Sequence, residues 1–117
     1  MRVIIAGSRD FGTDRHELEL LRAIRESGFL IEEVISGGAR GMDSLGERWA
    51  KERGIPVTVF PADWEGHGRA AGPIRNAEMA NIADALILVW DGESRGSANM
   101  RARMGMIGKP VHERIVK

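Results

Sequence analysis

Cysteine is absent from this 117-residue chain, and so is tyrosine. Without thiols neither a disulfide framework nor a thiolate zinc site can form, which fits a reducing compartment. Aromatic residues make up 5% of the chain, too few for a long row of stacking platforms. Lysine is scarce as well: fourteen of the 17 basic residues are arginine, the side chain suited to bidentate recognition of phosphate or carboxylate. The 17 acidic residues bring the formal net charge to zero, so the total carries no polyanion-binding footprint and any anion site must come from local charge. No run reaches the ~20 apolar residues of a membrane span. The opening "MRVIIAGSRDFG" has no signal-type cleavage pattern, and a soluble, cytoplasmic protein without a membrane partner is expected. What remains is 43% apolar residues, enough for residues 1–117 to form one domain whose core needs no covalent staple.

The apolar positions alternate between two periods. Strands are expected at Arg2 to Ala6, Glu33 to Ser36, Val57 to Phe60, Ala85 to Trp90 and Val111 to Val116. Between them lie helical stretches. Asp14 to Ser27 carries Leu18, Leu21 and Ile24 on one side and stops at Gly28, and a second helix from about Gly41 carries Met42, Leu45 and Trp49. A third opens at Pro73, and a fourth carries Met100, Met104 and Ile107 up to Gly108. The segment 61–72, "PADWEGHGRAAG", is too long for a plain turn and reads as a functional loop. Strands separated by helices of about a dozen residues require crossover connections, so the expected fold is a small α/β Rossmann-like three-layer sandwich with a mainly parallel five-stranded sheet.

Glycine collects where the strands end. Gly7, Ser8 and Arg9 follow the first strand, "SGGARGMD" follows the second from Ser36, and "DGESRGS" from Asp91 follows the most apolar one. Each loop combines glycine, a hydroxyl and an arginine. Glycine lets backbone N–H groups approach a ligand, a helix start adds positive potential and arginine supplies a charged fork, so the set points to an anionic, phosphate-bearing ligand in one crevice. Neither G-x-x-x-x-G-K-[ST] nor G-x-G-x-x-G is present, which argues against a P-loop hydrolase and a dinucleotide dehydrogenase.

"GSRDF", "SGGARGMDSLGERWAKERGIPVTVFPADW", "GRAAGPIRN" and "DGESRGSANM" together resemble the YspA/YpsA-related branch of the SLOG superfamily, which includes the DNA-processing protein DprA and the LOG phosphoribohydrolases. The resemblance implies a Rossmann-like domain that binds nucleotides or nucleotide-derived ligands, often as a dimer. It places the first motif on Gly7, Ser8 and Arg9. The second falls on Ser36, Gly37, Gly38, Ala39, Arg40, Gly41 and Asp43. A G-x-x-R-N motif falls on Gly72, Arg75 and Asn76, and the last glycine motif on Asp91, Gly92, Ser94, Gly96 and Ser97. LOG enzymes carry a catalytic glutamate three positions after the threonine of that last motif. The same count from Ser97 reaches Met100, which can neither move a proton nor stabilise an oxocarbenium ion.

Arg40 is a candidate phosphate clamp, and an arginine at the start of a helix, as Arg75 is with Asn76, opposes the dipole unless an anion is near. Asp91, Glu93 and Asp43 are the candidate acids or bases. Trp64 and His67, in the long loop, are placed either to stack on a base or to cover the core. No second ligand stands at metal spacing from His67, so neither metal nor cofactor is expected. Three functions compete: a sensor or carrier that binds a nucleotide-derived small molecule of the phosphate or ADP-ribose type; a LOG-like hydrolase cleaving an N-glycosidic or phosphoester bond; and, ranked last, a DprA-like single-strand DNA binder, which the neutral charge and few aromatics disfavour. A homodimer or larger assembly is expected, with Met79, Met100, Met104 and Met106 on two helices that could pair.

Overall fold

The run "VIIA" in the first strand and "ALILVW" in the fourth have no polar face to offer water, which is the signature of strands covered on both sides. The computed structural model, which describes residues 1–117, puts both at the centre of a five-stranded, wholly parallel sheet. Its strands are β1 (Arg2–Gly7), β2 (Glu33–Ser36), β3 (Val57–Val59), β4 (Ala85–Trp90) and β5 (Val111–Ile115), in the order β3-β2-β1-β4-β5. Register is set by pairs such as Ile4 with Ile35 on one side of β1 and Ile4 with Leu86 on the other. The helices α1 (Asp14–Ser27), α2 (Met42–Glu52), α4 (Ala71–Ile82) and α5 (Arg95–Met106) form the outer layers, with a single-turn α3 (Trp64–His67) before α4.

Because side chains alternate along a strand, the sheet feeds two cores. Val3, Ile5, Val34, Ile87 and Val89 face α1 and α2, where Leu20, Ala23, Met42 and Leu45 meet them. Ile4, Ile35, Leu86, Leu88 and Trp90 face α4 and α5, which contribute Met79, Ala80, Met100 and Met104. Each such large side chain removed from water contributes roughly 1.5–3 kcal/mol. The three methionines Met79, Met100 and Met104 are therefore core residues of the chain itself, and only Met106 is exposed. They do not form the pairing face on which the expected association rested. No helix is long and apolar enough to cross a membrane.

Two local readings change. The buried stripe of α1 runs through Leu20 and Ala23, with Ile24 half-buried, and Leu18 points to solvent. At about 100° per residue Leu18 lies about 200° around the helix from Leu20, so a stripe centred on Leu20 and Ala23 leaves it on the solvent side. The segment 61–72 is not a plain loop: Asp63 caps α3 by accepting the Gly66 N–H at 2.9 Å, a 3-10 turn spans Gly68–Ala70, and α4 begins two residues before Pro73. Proline is compatible with this position, since first-turn N–H groups have no intrahelical partner to lose.

Candidate functional site

The loops after β1, β2 and β4 are tied to one another before they present anything to a ligand. Ser8 is buried; its hydroxyl accepts the Asp91 N–H at 3.1 Å, and its carbonyl accepts the N–H groups of Phe11 and Met42, both at 3.2 Å. Gly41, at φ +80°, lies against the carbonyls of Ser8 and Arg9, where a Cβ would come within 2.5 Å of the Ser8 oxygen. Ser36, also buried, donates its hydroxyl to Glu47 at 2.7 Å and accepts the Gly38 N–H at 3.1 Å. Asp91 accepts the N–H groups of Glu93 and Ser94 through one oxygen, at 2.9 and 3.0 Å, and Ser94 caps α5 by accepting the Ser97 N–H.

Gly37 answers why the chain loses its side chains at this strand end. A Cβ there would sit 2.5 Å from the Arg75 guanidinium and 3.0 Å from the Asp43 carboxylate. The vacant space is filled by Arg75, which donates to the carbonyls of Gly37 and Phe60 and, through Nε, to Asn76 Oδ1 at 3.1 Å. Asn76 in turn donates to Asn99 Oδ1 at 2.9 Å and to the Gly96 carbonyl at 3.3 Å, locking α4 to α5. One glycine thus admits the guanidinium that anchors a network reaching from β2 to α5.

Above this frame three adjoining cavities share Arg9 and Arg75. They open beyond the carboxyl ends of β1 and its neighbours, where the strand order reverses between β1 and β4, the usual ligand position in an open α/β sheet. The central one, of ≈ 270 Å³, is floored by Ala6, Met79 and Met100 and walled by Asp43, Asn76 and the start of α5 at Ser94, Gly96 and Ser97. The second, ≈ 410 Å³, runs along Gly37 to Arg40 toward Pro61 and Trp64. The third, ≈ 310 Å³, lies between the starts of α4 and α5, with Trp64, Arg69, Gly72, Arg95 and Asn99 on its walls. The Arg9 guanidinium stands over the Trp64 ring, 5.9 Å from its centroid.

Most residues singled out from the sequence meet here. Gly7, Gly38, Ala39 and Arg40 are on the walls with those already named, whereas Ser8, Ser36, Gly41, Asp91 and Gly92 line no cavity. Glu93 is exposed and lines none either. Asp43 is the one carboxylate on the walls. Sequence reasoning missed Arg69, Arg95 and Asn99 as individual residues, although each lies inside a quoted motif; Arg69 and Arg95 stand where neither periodicity nor turn chemistry distinguishes them.

The charge is arranged with the same bias. Arg9, Arg40, Arg69, Arg75 and Arg95 all line the crevice, and none forms an ion pair. Of the nine arginines elsewhere, those at 2, 22, 48, 101 and 114 pair with carboxylates and those at 15, 25, 53 and 103 do not. Burial pushes the Asp43 carboxyl up to about 6, against the Ala39 N–H it accepts at 3.3 Å and the nearby Arg75 charge. Burial also lowers Arg75 from the ordinary guanidinium range. Asp91 is held below the usual carboxylate range, first by the Glu93 and Ser94 N–H groups, so it is committed to the ionised form.

The sequence pattern of the YspA, cpYpsA-related SLOG family matches residues 1–67, the stretch that holds the first two glycine loops and Trp64. The Gene 61 protein of Mycobacterium phage D29 is 36% identical over 118 residues, covering 94% of this chain and 93% of its own. No solved structure matches the chain.

Proposed function

The chain belongs to the YspA, cpYpsA-related SLOG family, and on that premise we propose that its crevice binds a nucleotide or nucleotide-derived small molecule through phosphate, as a sensor or carrier. The observation that carries this reading is the set of five crevice arginines left without carboxylate partners in a chain of zero net charge. An unpaired guanidinium cluster repels itself, and a phosphate relieves that repulsion while accepting bidentate bonds. Trp64, half of whose surface is exposed, offers a face on which a base can stack. Asn76, fixed by α5, and the Ser94 to Ser97 turn supply polar groups to orient the remainder.

A thermal-shift and calorimetric screen with AMP, ADP, ADP-ribose and NAD tests this. A ligand at a hundred times its Kd is expected to add ~2.7 kcal/mol of stability. Arg75→Lys, which keeps the charge and loses the fork, is expected to weaken binding by ~1.5–3 kcal/mol. Nucleotides that neither stabilise the protein nor bind in calorimetry would remove the reading.

A hydrolytic reading is favoured by one observation, a carboxyl poised near neutrality on the crevice wall at Asp43. It assigns Asp43 the role of acid or base, since Asp91 is occupied by backbone N–H groups and Met100 forms floor.

A further inference from the structure

Arg9 and Arg75 do not close off one end of the crevice; they stand between cavities. The cavity between the starts of α4 and α5 has two arginines of its own, Arg69 and Arg95, and no acidic residue on its walls. Both side chains are exposed, neither is hydrogen-bonded or ion-paired, and both are free to turn inward. The first turns of two 12-residue helices, at Gly72 and Gly96, face the same space and add positive potential there. Trp64 forms a wall shared with the neighbouring cavity. The three cavities, of ≈ 270, 410 and 310 Å³, lie below or in the lower part of the ~300–1,000 Å³ typical of ligand pockets and all share Arg9 and Arg75, so a nucleotide can extend through more than one of them.

From this arrangement, which rests on the nucleotide reading above, we propose that Arg69 and Arg95 form a second anion subsite, and that the ligand carries two phosphate groups. One phosphate is held at the Arg9 and Arg75 guanidinium pair and the next by Arg69 and Arg95, with the base on the exposed Trp64 ring. Arithmetic supports two groups over one. Five guanidinium charges against the single carboxylate of Asp43 leave an excess of four, and a single phosphate carries at most about two negative charges.

Calorimetry with AMP and ADP on the full chain and on the Arg69→Ala/Arg95→Ala double variant tests the proposal. ADP is expected to bind ~10- to 100-fold tighter than AMP, the ratio that charge-assisted hydrogen bonds to the added phosphate give. The double variant is expected to remove the preference for ADP over AMP, with ADP affinity falling at least ~10-fold more than AMP affinity. Both substitutions are at exposed positions, and an unchanged melting temperature verifies the fold. If AMP binds and ADP gains nothing, or if the double variant keeps the preference for ADP, the second subsite is refuted and the nucleotide reading stands. If neither nucleotide binds, both fail together. A dT oligonucleotide that binds more tightly than ADP and is released by the same double variant would assign the arginines to a nucleic-acid strand and overturn the small-molecule proposal.

Discussion

Asp43 and Arg75 converge on Gly37, yet they form no ion pair, and the carboxyl keeps its proton to about pH 6 because burial outweighs the guanidinium. A carboxyl whose folded-state value lies above its unfolded value of 3.8 contributes stability that is complete below that value and disappears as pH rises through about 6. The difference of about two units corresponds to about 3 kcal/mol lost by pH 7. Asp43→Asn keeps an acceptor for the Ala39 N–H and has no proton to lose. Urea denaturation is therefore expected to find this variant more stable than the parent at pH 7.5, with the gap closing by pH 4. An equal difference at both pH values would mean that the asparagine acts through packing and not through charge. The sequence alone left Asp43 as one of three candidate acids or bases, because a first-turn aspartate looks the same whether water or protein surrounds it.

At the scale of elements, the strands were legible because a strand covered on both faces leaves a run with no alternation, and the loops because glycine, hydroxyl and arginine recur at three strand ends. What those glycines do was only partly legible. Gly37 serves a side chain from a helix 38 residues away, and no local pattern records such a contact. Asp91 was read as a catalytic candidate, since a residue that caps two N–H groups and one that moves a proton are written with the same letter. The two kinds of glycine separate in a simple comparison. Gly37→Ala forces Arg75 out of its place and is expected to cost ~1–3 kcal/mol in stability and to weaken AMP binding at least ~10-fold. Gly105→Ala, within α5 and with open space around the new methyl, is expected to add ~0.4–1 kcal/mol and leave binding unchanged. Denaturation midpoints and titrations of the two variants read this contrast directly; equal behaviour would remove the role assigned to Gly37.

For the molecule as a whole, zero net charge conceals a partial segregation: five of the nine arginines outside the crevice pair with carboxylates, whereas none of the five on its walls does. The same segregation bears on catalysis. Glycosidic hydrolysis by carboxyl pairs needs a second group ~5–10 Å from the first, and the crevice walls provide Asp43 alone; Glu47, behind the loop, is bonded to Ser36. Phosphoester cleavage needs an activated water as well as charge; the arginines supply the charge that holds a phosphate, and the crevice walls offer Asp43 as the one carboxyl group to activate a water. The expected outcome is stoichiometric binding without turnover: AMP, ADP and ADP-ribose incubated with the protein are recovered intact by chromatography, with no free base and no released phosphate. Repeated turnover that Asp43→Asn abolishes while AMP affinity is retained would reverse this conclusion and make Asp43 the group that carries the reaction. Turnover that survives Asp43→Asn would place the chemistry on a group outside the walls of this crevice.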